Sequence, residues 1–297
     1  MKTTRRDFFS TLSLAGAAGL GVATLPASSH AAASGTFSKP SPMKLGLVTY
    51  NLAKDWDIET IIKNCTETGF AGVELRTTHA HKVEVALTKE ERATVRKRFA
   101  DSPVALYGLG SAFDYHTPDA EKLRRDVEAT KEYIVLANDV GASGVKVRPN
   151  GLPKEVPVEK TLEQIGTALK ELGKFGADHG QMIRLEVHGA GTSLLPNIRR
   201  IMAIADHPNV GVCWNSNQTD LEGDGFDANF DSVKSRIVEV HMRDLFLDEY
   251  PWARLLKGLV ASGYRGFCLA EIPESKDPLR VMRYFRGLWL SHQGLSQ

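Results

Sequence analysis

Charged side chains recur at two-residue spacing near the ends of short apolar runs in this sequence. Lys146 and Arg148 form one such set, Arg184, Glu186 and His188 a second, and Glu239, His241 and Arg243 a third. Glu74 and Arg76 form another, Glu271 ends a run on the face of Phe267 and Leu269, and Asn215 and Asn217 follow in step with Cys213. Residues two apart in a strand share a face, so each set points its polar groups one way. Carboxylates with one imidazole, drawn from distant segments, suit a hard divalent cation: Mn2+ first, with Mg2+, Co2+ or Zn2+ as alternatives. Glu186, His241 and Glu271 are the ligands this points to. There is no HExxH or CxxC motif, so the argument rests on placement and not on compact spacing. Burying charge is costly unless it is paired or bound to metal, so packing does not account for the whole set. Glu74, Arg76 and Glu239 read as structural partners that neutralise the second and seventh runs.

The elements that must position these groups alternate along the chain. Strand-length apolar runs fall at Leu45–Tyr50, Gly72–Leu75, Val104–Leu109, Gly144–Arg148, Ile183–His188, Val210–Trp214, Ile237–Met242 and Gly266–Glu271. Helical stretches separate them. Thr88-Lys89-Glu90-Glu91 is a capping box that opens one. Pro118 and Asp119 open a longer one that ends near Gly141, and another runs from Val158 to a stop at Gly180. Asp57–Gly69, Leu194–Ala205, Phe230–Ser235, Trp252–Gly263 and Asp277–Leu290 supply the rest. Strands alternating with helices need parallel crossovers, and eight such units close into a (β/α)8 TIM barrel, an α/β fold. An open doubly wound sheet would bring a glycine-rich loop after its first strand. Here that segment reads Asn51-Leu52-Ala53-Lys54-Asp55-Trp56, without glycine. In a barrel the outer face is covered by helices, so the polar sets point inward and gather at the C-terminal mouth.

The remaining composition narrows the class. A net charge of +1 gives no basic stripe for nucleic acid. Cys65, Cys213 and Cys268 are too few and scattered for a disulfide framework and read as small buried hydrophobes. Thr4-Arg5-Arg6-Asp7-Phe8-Phe9, the weakly apolar stretch after it and Ala31-Ala32-Ala33 match a twin-arginine leader with a small-residue cleavage site. The expected organisation is a leader over 1–33, a linker over 34–43 and a barrel over 44–297, delivered to the periplasm without stable membrane association after cleavage. Homo-oligomerisation is left open.

From about Lys44 to Leu288 the chain resembles the sugar phosphate isomerase/epimerase family of the xylose isomerase-like superfamily. The matching pieces are Gly69-Phe70-Ala71-Gly72-Val73-Glu74-Leu75, Leu185-Glu186-Val187-His188-Gly189, Val240-His241-Met242-Arg243-Asp244 and Gly263-Tyr264-Arg265-Gly266-Phe267-Cys268-Leu269-Ala270-Glu271. The resemblance implies a metal held by residues on strands 5 to 8, here Glu186, Asn215, His241 and Glu271. It implies that Glu186 and Glu271 double as acid and base on opposite faces of the substrate. The sequence departs at the sixth strand, where Asn215 stands for the expected Asp and Gln218 for a frequent His. An amide can still ligate a hard cation but removes one negative charge, which weakens affinity and leaves a more electrophilic metal.

The expected activity is therefore proton transfer beside the carbonyl of a sugar or keto-sugar, as in an isomerase or epimerase. Lys146, Arg148, His188, Asn217 and Arg243 are the expected substrate-binding groups. An exported lyase or hydratase acting on 3-keto-glycosides is the alternative enzyme, and a non-catalytic sugar-binding barrel the alternative class. A phosphorylated substrate is not favoured: no glycine-rich anion loop follows strand 7 or 8, and Ile272-Pro273-Glu274-Ser275-Lys276-Asp277 is net acidic. An apurinic-site nuclease on this fold would need a multi-zinc cluster and a basic surface, which nine histidines, several outside the mouth, do not supply.

Overall fold

The computed structural model describes residues 40–295. The leader expectation, Arg5 and Arg6 included, lies outside the described residues, as does most of the linker. Eight parallel strands close into a barrel in sequence order: β1 Lys44–Val48, β2 Gly72–Arg76, β3 Ala105–Gly110, β4 Gly144–Val147, β5 Met182–Glu186, β6 Val210–Trp214, β7 Ile237–Met242 and β8 Phe267–Ala270. The barrel closes where β1 pairs with β8, Lys44 opposite Phe267 and Gly46 opposite Leu269.

Helices α1 Ile58–Thr68, α2 Lys89–Ala100, α3 Ala120–Val140, α4 Val158–Asp178, α5 Leu195–Ala205, α6 Gly225–Val233, α7 Trp252–Ala261 and α8 Pro278–His292 follow the strands. Local chemistry sets their ends. Asp57 accepts from the Thr60 N–H at 2.8 Å, and Thr88 with Glu91 forms the anticipated capping box. Gly69 and Gly141 end α1 and α3 in the left-handed region, at φ of 75° and 82°. Two expected bounds are corrected. Helix α4 stops at Asp178, with His179 as its cap and Gly180 beyond at φ 64°. Helix α6 begins at Gly225, not Phe230, because Phe226 and Phe230 both turn to the core while Asn229 donates to the Asp220 and Glu222 carbonyls and ties the preceding turn down. Among the described residues no helix is long and apolar enough to cross a membrane.

Alternate strand residues, such as Leu45, Val73, Val145, Leu185, Val212 and Val240, join the helices in the main core. The inward residues build a separate interior. Phe267, Leu269 and Val48 form its small apolar part, with the Tyr107 ring 4.5 Å from the Phe267 ring. Gly72 makes that possible, since a Cβ there would meet the Phe267 ring at 2.5 Å. Above this apolar floor the interior is charged.

Candidate metal centre and sugar-binding mouth

The charged interior has two levels. In the lower one, Arg184 on β5 reaches across the barrel over the face of Tyr107, its guanidinium carbon 3.8 Å from the ring centroid. It donates to the Tyr107 carbonyl at 3.2 Å and to the Ser143 hydroxyl at 2.8 Å, and lies 3.6 Å from Glu239 on β7. Arg184 is therefore a sealed structural group, although its sequence set points it the same way as Glu186 and His188. Cys213 is buried and free, as expected, and it faces this level beside Glu239 and His241.

In the upper level His241 is 1% exposed. Its Nδ1 lies 3.8 Å from Glu186 Oε1 and 3.8 Å from Glu271 Oε2, while its Nε2 lies 3.6 Å from Glu74 and 3.9 Å from Glu239. Neither ring nitrogen has a hydrogen-bond partner. A buried imidazole left unpaired between carboxylates fits a cation ligand better than a packed side chain. One ligand atom each from Glu186, His241 and Glu271 lies within 4.8 Å of the others, a donor set that fits a hard or borderline divalent ion. The outer nitrogen of His241, turned toward Glu74, is placed as in carboxylate-backed metal histidines. Glu74 thus backs His241 and does not pair with Arg76 as a structural partner.

Above these groups opens a cavity of about 360 Å³, within the range of small-ligand sites. Of the substrate-binding expectations, Lys146, Arg148, His188, Asn217 and Arg243 all line it, and so do Glu186, Asn215 and Glu271. His241 forms its base from beneath. The Asn215 amide faces the cavity and makes no protein hydrogen bond among the described residues. Asn217 is anchored at both ends: its amide donates to the Val187 carbonyl at 2.6 Å, and its N–H donates to Asp220 at 2.9 Å. Asp220 is itself buried and accepts from the Tyr250 hydroxyl at 2.6 Å. That chain fixes the loop after β6.

Sequence reasoning did not assign five lining residues to the site: Tyr50, Arg76, Asp244, Leu247 and Pro273. Tyr50 and Arg76 both face the cavity, with the Arg76 guanidinium 4.9 Å from the Tyr50 ring centroid. The reading of Arg76 as a structural ion-pair partner is corrected, because it makes no ion pair among the described residues. The signal was available: Tyr50 and Arg76 continue the inward faces of β1 and β2 one step toward the mouth.

Lys146 donates to Glu186 at 2.7 Å. Burial raises the affinity of Glu186 for a proton, but the Lys146 ammonium and His241 outweigh it and hold the carboxyl down to about 2. Glu271 is pushed above the ordinary range by burial and by the like charge of Glu186, with His241 opposing. Two carboxylates at one cavity are thus driven apart, one kept ionised and the other readier to carry a proton. His188 is pushed down by burial and by Arg148, Lys146 and Arg76, against Glu186, and so favours the neutral imidazole.

The family described as Xylose isomerase-like TIM barrel matches residues 62–287. No curated protein matches the chain by sequence. Among solved structures, the 3-keto-D-glucoside 4-epimerase of E. coli is similar, with 17% identity and a TM-score of 0.69 over 84% of this chain and 99% of that one. D-psicose 3-epimerase from Clostridium cellulolyticum H10, solved with D-tagatose, shares 14% identity with a TM-score of 0.71 over 86% and 100%. The IOLI protein, solved with a zinc atom, shares 15% with a TM-score of 0.70 over 84% and 99%.

Proposed function

The chain belongs to the xylose isomerase-like TIM barrel family, and on that footing we propose that it is a divalent-metal-dependent sugar isomerase or epimerase acting by proton transfer beside a carbonyl. The observation that carries this reading is the meeting of Glu186, His241 and Glu271 under a polar cavity, with His241 Nδ1 unpaired between the two carboxylates. The similarity to sugar epimerases supports the same class. Glu186, His241 and Glu271 would hold the ion, with Asn215 as a neutral fourth ligand. Mn2+ heads the candidates, and a zinc-bound structural neighbour keeps Zn2+ among them. When bound, the ion supplies polarisation of a sugar carbonyl and its neighbouring hydroxyl.

The rest is work for side chains. Glu271, whose proton affinity burial raises, takes the proton from the carbon next to the carbonyl and returns it. Lys146 keeps Glu186 ionised and oriented toward His241. Arg243, held by the Ser216 carbonyl at 3.1 Å, and Lys146 offset negative charge that develops on the substrate oxygens. Glu186 serves the opposite face of the sugar. If the reaction is instead an elimination or hydration of a 3-keto-glycoside, one base suffices.

Solvent-deuterium exchange at that carbon, followed by proton NMR on a panel of keto-sugars, tests the proposal. Exchange should require the metal and fall about 10²–10⁴-fold in Glu271→Gln, while calorimetry still shows a bound ion. Glu186→Gln should fall similarly if both faces are used and spare exchange if one base does the work. Full exchange in both variants with metal bound would sink the assignment. We further place the protein outside the inner membrane. Changing Arg5 and Arg6 to lysine should leave it in the cytoplasmic fraction, and unchanged periplasmic delivery would remove this placement.

A further inference from the structure

Positive charge outnumbers negative in the cavity lining. The cavity lining holds four cationic side chains, Arg76, Lys146, Arg148 and Arg243, against three carboxylates, Glu186, Asp244 and Glu271. Lys146 is taken by Glu186, but Arg76, Arg148 and Arg243 form no ion pair among the described residues. The buried Nε of Arg148 has no hydrogen-bond partner at all, although its Nη2 donates to the Ala112 carbonyl at 3.3 Å. Arg76 and Arg148 come from β2 and from the end of β4, and both line the same cavity as His188. A divalent ion held by Glu186, His241 and Glu271 would add two more positive charges, and the neutral amide of Asn215 returns none.

A partly buried guanidinium with a free, solvent-screened donor is costly unless something accepts from it. A neutral sugar offers hydroxyls but no charge. A carboxylate is planar, matches the donor fork of arginine, and would neutralise the excess. We propose that Arg76, Arg148 and His188 form an acid-recognition wall, so that the substrate is a keto-sugar carrying a terminal carboxylate. This rests on the reading of the cavity as a sugar site and names the class of sugar.

The test is binding to the full chain, by calorimetry at low ionic strength, first without metal so that chelation cannot mimic recognition. The probes share one carbon skeleton: D-fructuronate, D-fructose and the terminal phosphate ester of D-fructose. D-fructuronate should bind at least about tenfold more tightly than D-fructose. Arg76→Met and Arg148→Met should each remove most of that preference. Arg148→Lys, which retains charge without the planar fork, should recover part of it. Arg124→Met, on the exposed face of α3, removes the same net charge and should leave the preference intact. Equal affinity for the acid and the neutral sugar would overturn the proposal. So would a preference that survives both Met variants, or tighter binding of the phosphate ester than of the carboxylate. The outcomes separate from those of the catalytic reading. Metal-dependent exchange on D-fructose without acid preference sinks only the acid wall. Acid preference without exchange on either keto-sugar leaves the wall standing and sinks the catalysis.

Discussion

Glu186 and Glu239 are both sealed inside the barrel beside a cation, one level apart, yet they hold protons in opposite ways. Glu186 is held down to about 2 because, against its burial, the charges of Lys146 and His241 act on it and Lys146 also donates to it at 2.7 Å. Glu239 is pushed up to about 7 by burial and by the neighbouring charge of Glu74, and Arg184 at 3.6 Å opposes this only in part. The difference lies in where the donors go. Arg184 spends its hydrogen bonds on Tyr107 and Ser143, so Glu239 receives field without a bond, and both its oxygens are left unpartnered. Inside the barrel the balance of near charges therefore sets protonation against burial, and a direct hydrogen bond adds to it.

Removing the two cations should widen that contrast. Arg184→Met strands Glu239 and Glu74 in the interior and should lower unfolding free energy by about 3–5 kcal/mol in urea titrations. Lys146→Met should cost less, because Glu186 borders the cavity and solvent can reach it once the ammonium is gone. The same change takes a positive charge from beside the ligands, so Mn2+ affinity in calorimetry should rise while proton exchange falls. Equal stability losses in the two variants would erase the distinction between the levels.

The pH dependence of stability, measured on metal-free protein, should split in two directions. A carboxyl raised in the folded state stabilises at low pH, and that contribution is lost as pH rises from the unfolded value near 4.5 through about 7. Glu239→Gln should flatten that loss. A carboxyl depressed in the folded state stabilises above its unfolded value, and the contribution is lost as pH falls from about 4.5 toward 2. Glu186→Gln should flatten that one. Each effect should be about 3–4 kcal/mol, since each carboxyl stands about 2.5 pKa units from 4.5 and one pKa unit is about 1.4 kcal/mol. Flattening on the same side of pH 4.5 in both would refute the contrast.

The smallest expected effect is at Asn215. Adding a carboxylate beside a cation in Asn215→Asp should tighten Mn2+ binding by about tenfold, or roughly 1.4 kcal/mol. Equal or weaker affinity would remove Asn215 from the ligand set.

The barrel was legible because eight apolar runs alternate with amphipathic segments whose stops and caps are explicit, as at Asp57, Thr88, Asp119 and Gly141. The mouth was legible wherever an inward face continued past the end of a strand, which placed Glu186, His188, His241 and Glu271 together. Depth was not. Arg184 and Lys146 have the same look in sequence, a cation on an inward face two residues before another charge. The two residues pair in register, so their level is set by what their side chains reach: Lys146 extends to Glu186, and Arg184 to Ser143 and the Tyr107 carbonyl. The start of α6 was hidden because Glu222-Gly223-Asp224-Gly225 reads as a loop, and only the tertiary grip of Asn229 on that loop turns the next residues into helix.

Strand β3 gives the interior the ring of Tyr107 and, beside the charged groups, bare glycine. A Cβ at Gly108 would run into the Arg184 guanidinium, and one at Gly110 would come within 2.5 Å of Glu74 Oε1. The room for two charged side chains is thus written on a third strand, as two missing methyl groups. A lineage that drifted to alanine at Gly108 would first need to shorten Arg184, and one that lost Arg184 would open a void that only a larger residue at Gly108 could fill. Either single step passes through a less stable protein. The polar interior is in this sense historically locked: it can be exchanged for an apolar one only by paired replacements on β3 and β5, and these two positions should vary together or not at all.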